Sequence, residues 1–267
     1  MSLYEQLRDR IRGDDPVALC TVIDGANIGA KLLVIPGQPA QGSLGDPELD
    51  RIVGRDALAE LEAGQTGVRH YGPQGQTTPE DLGDADMVSV FVESFAPPPQ
   101  MWIFGAVDFT AALAKVGKVL GFRVTVCDAR EVFATRRRFP MADEVLVSWP
   151  GPLFEQRGNT LGQRDAVCIL THDSKFDVPA VLGALDTRVG YIGVMGSRNT
   201  HEKRMQRLAE AGLSDPDQID RLMSPIGLDI GARTPEETAI SICAEIIAKR
   251  TGRVTPSLRD GSGAIHS

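Results

Sequence analysis

The chain is poor in the residues that staple a fold, coordinate metals or cross membranes. Its four cysteines (Cys20, Cys127, Cys168 and Cys243) are scattered over 267 residues with no CxxC spacing. That leaves neither a disulfide framework nor a thiolate metal cluster, and it predicts buried thiols and no metal site. No run approaches the ~20 apolar residues that a membrane span requires, and the opening Met1-Ser-Leu-Tyr-Glu-Gln-Leu-Arg8 has no apolar signal core, so a cytoplasmic protein without a membrane segment is expected. Positive charge is also short: 28 Lys and Arg stand against 36 Asp and Glu, a net charge of −8. Nucleic-acid phosphates need a clustered basic surface, so no nucleic-acid partner is expected. The one basic run, Arg136-Arg137-Arg138, reads as a solvated loop before Phe139-Pro140.

What is present suffices for two cores, since the length exceeds the usual single domain and 42% of the residues are apolar. Residues 2 to 13 read as a helix, Pro16 to Ile23 and Lys31 to Ile35 as strands, Asp50 to Glu62 as a helix, and Gly67 to Tyr71 and Val88 to Phe95 as strands. This predicts a small α+β domain over 1–96. Pro97-Pro98-Pro99 cannot continue a sheet ladder, so 97–100 is the expected linker. From 101 to 252 apolar strands alternate with helices: Met101 to Ala106, Phe122 to Asp128, Glu144 to Ser148, Asp165 to Thr171 and Gly190 to Met195, with helices over Val107 to Leu120 and from Val178, Asn199 and Pro235. Continuous apolar strands between helices predict a Rossmann-like, doubly wound parallel sheet. The tail, 253–267, is expected to be mobile.

The βαβ opening lacks the glycines of a dinucleotide site. In G-x-G-x-x-G the second glycine lets a pyrophosphate touch backbone and the third lets helix and strand pack closely, yet Gly105 is followed by Val107 and Thr110. Weak or absent NAD(P) binding is therefore expected. Ligands of such sheets bind outside the carboxyl ends of the strands. Four ends carry unusual residues there: Gly105-Ala-Val-Asp108, Asp128-Ala-Arg130, Thr171-His-Asp173 and Gly196-Ser-Arg198. Asp128, 23 positions after Gly105, is either a ribose acceptor or a turn residue. His172 is either a hydrogen-bonded structural residue or an acid–base group. Ser197 is an anion reader, an N-cap, or both. Arg233-Thr234-Pro235-Glu236-Glu237 reads as a capping box, and the glycine-rich Pro225 to Ala232 before it, with Gly231, as backbone in close approach to something.

These segments resemble the XdhC/CoxI family, accessory proteins of molybdenum hydroxylases such as xanthine dehydrogenase and carbon-monoxide dehydrogenase. The resemblance is carried by Gly121-Phe-Arg-Val-Thr-Val-Cys-Asp-Ala-Arg130, Phe133 to Pro140, Leu170-Thr-His-Asp173, Tyr191-Ile-Gly-Val-Met-Gly-Ser-Arg198 and Pro225-Ile-Gly-Leu-Asp-Ile-Gly-Ala-Arg-Thr-Pro-Glu-Glu237. It is looser in the first half, through Val17 to Val22, Gly29-Ala-Lys31 and Gly42-Ser43. It implies a protein, homodimeric by analogy, that binds the molybdenum cofactor (molybdopterin, a dithiolene-bearing pterin with a phosphate tail) and delivers it to an apo-hydroxylase without turnover of its own. The expected ligand-binding residues are Gly105, Asp108, Asp128, Arg130, Thr171, His172, Asp173, Gly196, Ser197, Arg198, Gly231, Arg233 and Thr234. The chain departs from the family twice. Gly105-Ala-Val-Asp108 replaces a common Gly-Ala-Gly-His, and Gly45-Asp-Pro-Glu-Leu49 replaces a Gly-Gly-Cys-Val-Glu, so a cysteine able to touch the metal or its sulfur is missing. Two other functions stay open: an NAD(P)-dependent oxidoreductase with a degenerate fingerprint and His172 as acid or base, and a non-catalytic ligand-sensing subunit.

Overall fold

A computed structural model describes residues 2–72 and 87–255. The expected tail beyond residue 255 lies outside the described residues. The chain divides into two compact units, Met1–Pro97 and Pro98–Ser267.

In the first unit the elements run α1 (Leu3–Arg12), β1 (Val17–Asp24), β2 (Lys31–Val34), β3 (Gln41–Ser43), α2 (Pro47–Ala63), β4 (Gly67–Tyr71) and β5 (Val88–Phe95). The strands form one antiparallel sheet in the order β3-β2-β1-β5-β4. Side chains alternate across a strand. Ala18, Cys20 and Val22 of β1 accordingly join Leu49, Val53 and Ala57 of α2 in one core, while Val17 packs with Leu3 and Leu7 of α1 on the opposite face. Helix α2 starts three residues before the expected Asp50, because the Asp46 carboxylate accepts from the Glu48 and Leu49 N–H groups and Pro47 occupies the first turn. The segment Gly45-Asp-Pro-Glu-Leu49 thus serves to begin a helix.

The second unit runs β6 (Gln100–Phe104), α3 (Asp108–Val119), β7 (Arg123–Asp128), β8 (Glu144–Val147), α4 (Pro150–Arg157), β9 (Ala166–Ile169), α5 (Ser174–Leu185), β10 (Tyr191–Val194), α6 (Arg198–Glu210), α7 (Pro216–Asp220), β11 (Leu222–Met223) and α8 (Pro235–Thr251). Its six strands are all parallel, in the order β11-β10-β9-β6-β7-β8. This is the doubly wound arrangement expected from the sequence. On one face Met101, Ile103, Val124 and Cys168 pack with Leu113 of α3 and Ile242, Cys243 and Ile246 of α8. On the other, Trp102, Phe104, Val167 and Ile169 pack with Phe154 of α4, Phe176 and Val181 of α5 and Leu208 of α6. The chain leaves β6 toward β8 on one side and resumes at β9 toward β11 on the other. The switch point, where such sheets open a crevice, therefore lies between the carboxyl ends of β6 and β9.

Helices α4 and α7 and the two-residue β11 were not expected from periodicity. Helix α5 begins at Ser174 instead of Val178, because Asp173 caps it and Pro179 is accommodated inside the helix. Arg136-Arg137-Arg138 lies in a loop as expected, with Arg136 and Arg137 exposed and Arg138 half-buried, but the run also has a structural task. Arg136 donates to the carbonyls of Ala142 and Asp143, and Arg138 Nη1 donates to the Ala106 carbonyl at 2.9 Å, so two of the three guanidiniums fasten the turn after β7. Among the described residues no helix is long and apolar enough to cross a membrane.

Candidate functional site

A cleft of about 340 Å³ opens at the switch point, lined by Val107 after β6, Asp128, Ala129 and Arg130 after β7, Trp149 after β8, and Thr171, His172, Asp173 and Phe176 after β9. A larger depression of about 510 Å³ lies against α4 and α5, where Gly151, Gly158 and Gly183 contribute much of the lining. It gathers none of the strand-end groups, so the chemistry points to the smaller one.

The β6 wall is shaped by contacts within the protein. Gly105 has φ +109°, and a Cβ there would meet Thr171 Cγ2 at 2.4 Å, so this glycine serves the close approach of β6 to β9. Thr110, in the position of the fingerprint's third glycine, is fully buried and its hydroxyl donates to the Gly105 carbonyl. Val107 precedes α3 and, being apolar, gives it no side-chain cap. Trp149 likewise precedes α4 without a cap. The other long helices of this unit, α5, α6 and α8, are capped by Asp173, Ser197 and Thr234. A helix dipole favours negative charge at its first turn, and at α3 that charge is the Asp108 carboxylate, while the Thr110 N–H is bonded to the Val107 carbonyl and the Val107 N–H to the Thr110 hydroxyl. Asp108 does not line the cleft; its carboxylate lies 3.6 Å from Arg138.

The β7 wall is a carboxylate–guanidinium chelate. Asp128 Oδ2 accepts from the Ala106 N–H at 2.7 Å and from Arg130 Nη2 at 2.8 Å, and Oδ1 accepts from the Arg130 N–H and Nε, both at 2.9 Å. Burial alone would push this carboxyl up, but those donors outweigh it and hold Asp128 below the usual carboxylate range. The bonds it makes are therefore complete at neutral pH. Their contribution to stability is present above the unfolded value of about 3.9 and is lost as acid titrates the group through its lower folded value. The Arg130 guanidinium also lies 4.6 Å from the Phe133 ring, which Arg138 approaches at 5.5 Å.

The β9 wall joins the cleft to a buried ion pair. The Thr171 hydroxyl donates to Asp177 Oδ1, and Asp177 Oδ2 lies 3.5 Å from Arg204 Nη2. Arg204 also donates to the Met195 carbonyl at 2.7 Å and to the Ser224 hydroxyl at 3.1 Å. Burial pushes Asp177 up and Arg204 down, while Thr171 and the opposite charge counter the shift on the carboxyl. Asp173 is the N-cap of α5, accepting from the Lys175 N–H. His172 lines the cleft with an exposed side chain. Trp149, half-exposed and with its ring centroid 5.8 Å from that of the buried Phe176, supplies the aromatic surface, which sequence reasoning did not find. The signal available for Trp149 was its place directly after a strand.

The remaining expected residues lie away from this lining. Ser197 caps α6, accepting from the Thr200 N–H, and Gly196 packs beside Thr200. Arg198 is the first residue of α6, and its side chain lies outside the described residues. Arg233 and Thr234 donate their N–H groups to Glu237, closing the capping box that the sequence announced. What the glycine-rich segment approaches is α8: a Cβ on Gly227 would meet Ser241 Oγ at 2.5 Å, and the Gly227 N–H donates to Glu245. Gly231, at φ +73°, has open space where a Cβ would stand. All four cysteines are buried and free, and desolvation pushes Cys20, Cys127 and Cys243 up to about 12 and raises Cys168 well above the usual thiol range. None supplies a thiolate at neutral pH.

The chain is similar in sequence and in fold to several known proteins. Residues 101–246 match the XdhC Rossmann domain and residues 11–72 match the XdhC and CoxI family. A Bacillus subtilis protein, named as one of the probable subunits of xanthine dehydrogenase, is 33% identical over 162 residues, which is 61% of this chain and 46% of that protein. The Escherichia coli molybdenum cofactor insertion chaperone PaoD is 33% identical over 85 residues, 32% of this chain and 26% of PaoD. The matches thus span less than half the length of these relatives. A crystal structure from Bacillus halodurans, described as a xanthine dehydrogenase, aligns with 96% of this chain and 98% of its own at a TM-score of 0.54 and 21% identity, a likeness of fold.

Proposed function

The chain belongs to the XdhC and CoxI family, and from that premise we propose that it is an accessory protein of a molybdenum hydroxylase, binding molybdenum cofactor in the strand-end cleft and delivering it to the apo-enzyme. The observation that carries this reading is the composition of the cleft: an exposed indole face, backed by the buried Phe176, and an exposed guanidinium converge on a space of about 340 Å³. A flat pterin suits the face of Trp149, and its phosphate suits the Arg130 guanidinium. These residues fit the organic part of the cofactor. The cleft lining holds no sulfur ligand, so the metal would stay on the dithiolene of the cargo. The names of the B. subtilis and E. coli relatives support a partner of the hydroxylase class. A homodimer working in the cytoplasm belongs to the same proposal.

Nucleophilic chemistry needs an activated thiol or hydroxyl beside a base. The four thiols are buried and protonated, and the Thr171 hydroxyl is committed to Asp177. Binding without turnover therefore fits the residues better than catalysis. The test is reconstitution. Apo-hydroxylase mixed with cofactor-loaded protein should gain activity faster than with free cofactor, and His172→Ala should fold normally while its transfer rate reports whether the ring takes part. No advantage for the loaded protein, or turnover by the isolated protein, would reject the delivery reading.

The cleft residues also set what should bind and what should not. Arg130→Ala should weaken cofactor binding by about 1.5–3 kcal/mol, the range for a hydrogen bond to a charged group, as read by retention of the oxidised pterin's fluorescence on gel filtration; unchanged retention would take Arg130 out of the site. NAD(H) and NADP(H) should show no micromolar binding by calorimetry, because Val107 puts a branched side chain where the pyrophosphate needs bare backbone. Tight binding of either would bring the oxidoreductase reading forward.

A further inference from the structure

We infer that Arg130 locks the ribose subsite of this fold, occupying the carboxylate that would hold a nucleoside's hydroxyls and presenting in its place a guanidinium edge for an anion without a vicinal diol. This rests on the reading that the cleft is the ligand site, and not on the cargo being a pterin.

In a parallel sheet of this order the acid that closes the second strand, here Asp128 at the end of β7, is the group that accepts from ribose hydroxyls. To do so it needs free lone pairs, and an ionised carboxylate offers about four acceptor sites. Four donors already fill them: the N–H groups of Ala106 and Arg130, and Nε and Nη2 of Arg130, all within 2.9 Å. The Asp128 side chain is 3% exposed, so the guanidinium also covers it. A ribose diol, which must donate, finds no acceptor.

Opening the lock is costly. Swinging Arg130 aside gives up two charge-assisted bonds and the contact with Phe133. Phe133 is held on the same turn by Arg138, whose Nη1 is bonded to the carbonyl of Ala106. The chelate is therefore part of a braced loop. Among the described residues nothing accepts from Arg130 Nη1, and the side chain is 56% exposed. The edge it offers is a donor edge with positive charge, complementary to a phosphate or carboxylate.

The experiment uses ADP and 2′-deoxy-ADP, which differ only at the ribose hydroxyl, titrated calorimetrically into full-length protein. All variants carry Val107→Gly, so that the branched side chain does not exclude the diphosphate. The Val107→Gly parent should not distinguish the two nucleotides. Adding Arg130→Ala should make ADP bind at least tenfold tighter than 2′-deoxy-ADP, and adding Asp128→Asn to that variant should abolish the preference. Arg130→Lys, whose single ammonium cannot chelate both oxygens, should give a smaller preference and keeps the test available if the alanine variant does not fold. A parent that already prefers ADP tenfold would mean that Asp128 accepts ribose despite Arg130, and the proposal would fall. It would fall equally if neither Arg130 variant gains the preference. Pterin retention by the unmodified protein is read separately, so a wrong cargo and a wrong lock give different results.

Discussion

Replacing Arg204 by Ala is expected to lower the unfolding free energy by about 3–5 kcal/mol, the range for removing one partner of a buried ion pair. Both side chains are nearly inaccessible, at 4% for Arg204 and 6% for Asp177. The substitution leaves a desolvated carboxyl with only the Thr171 hydroxyl, and it strips the Met195 carbonyl and Ser224 of their donor. Urea denaturation measures the loss. Because the penalty comes from the uncompensated charge, the double variant Arg204→Met with Asp177→Asn should recover a large part of it. A loss below about 1 kcal/mol in the single variant would show that water reaches the pair. Thr171 lines the cleft, so the single variant should also retain less cofactor.

Gly105→Ala is expected to cost about 2–5 kcal/mol, adding left-handed backbone strain to overpacking. At φ +109° an L side chain is strained whatever the space, and the new Cβ would stand 2.4 Å from Thr171 Cγ2. The two costs separate in a cycle. Thr171→Ser deletes the obstructing methyl while keeping the hydroxyl that donates to Asp177, so Gly105→Ala in that background should recover the overpacking part and retain the backbone part. Equal losses in both backgrounds would show that the loop simply moves away. The position is occupied by glycine because two parts of one protein meet there, a demand easily mistaken for approach by a phosphate.

That distinction measures how much the sequence disclosed. The apolar, β-branched and almost wholly buried strands β6, β7, β9 and β10 were legible, and with them the strand ends where Gly105, Asp128 and Thr171 to Asp173 stand. Helix α4 was hidden by its Pro150-Gly-Pro152 start, which reads as a turn because nothing local tells a first helical turn from a loop. The site was legible as positions but not as bonds. Asp177 and Arg204 are 27 residues apart, and periodicity carries no information about which polar groups will share a buried space. Asp128 was correctly located, yet its commitment to Arg130 depends on the turn conformation. Conversely, Thr234 and Glu237 were read together with their bonds, because a capping box is written within four consecutive residues.

The four enclosed thiols have a consequence for the chemistry that the protein can survive. At cysteine, peroxide, alkylating reagents and mixed disulfides all act through an accessible thiolate, and these cysteines are buried and protonated at neutral pH. The four cysteines of the folded chain should stay unmodified under thiol-directed reagents, acquiring adducts only on unfolding, while an oxidant would first reach methionine, Met141 being exposed. A dithiolene brought to its surface would find no sulfur with which to exchange, so a sulfur-bearing cargo could be released with its own two sulfurs unscrambled.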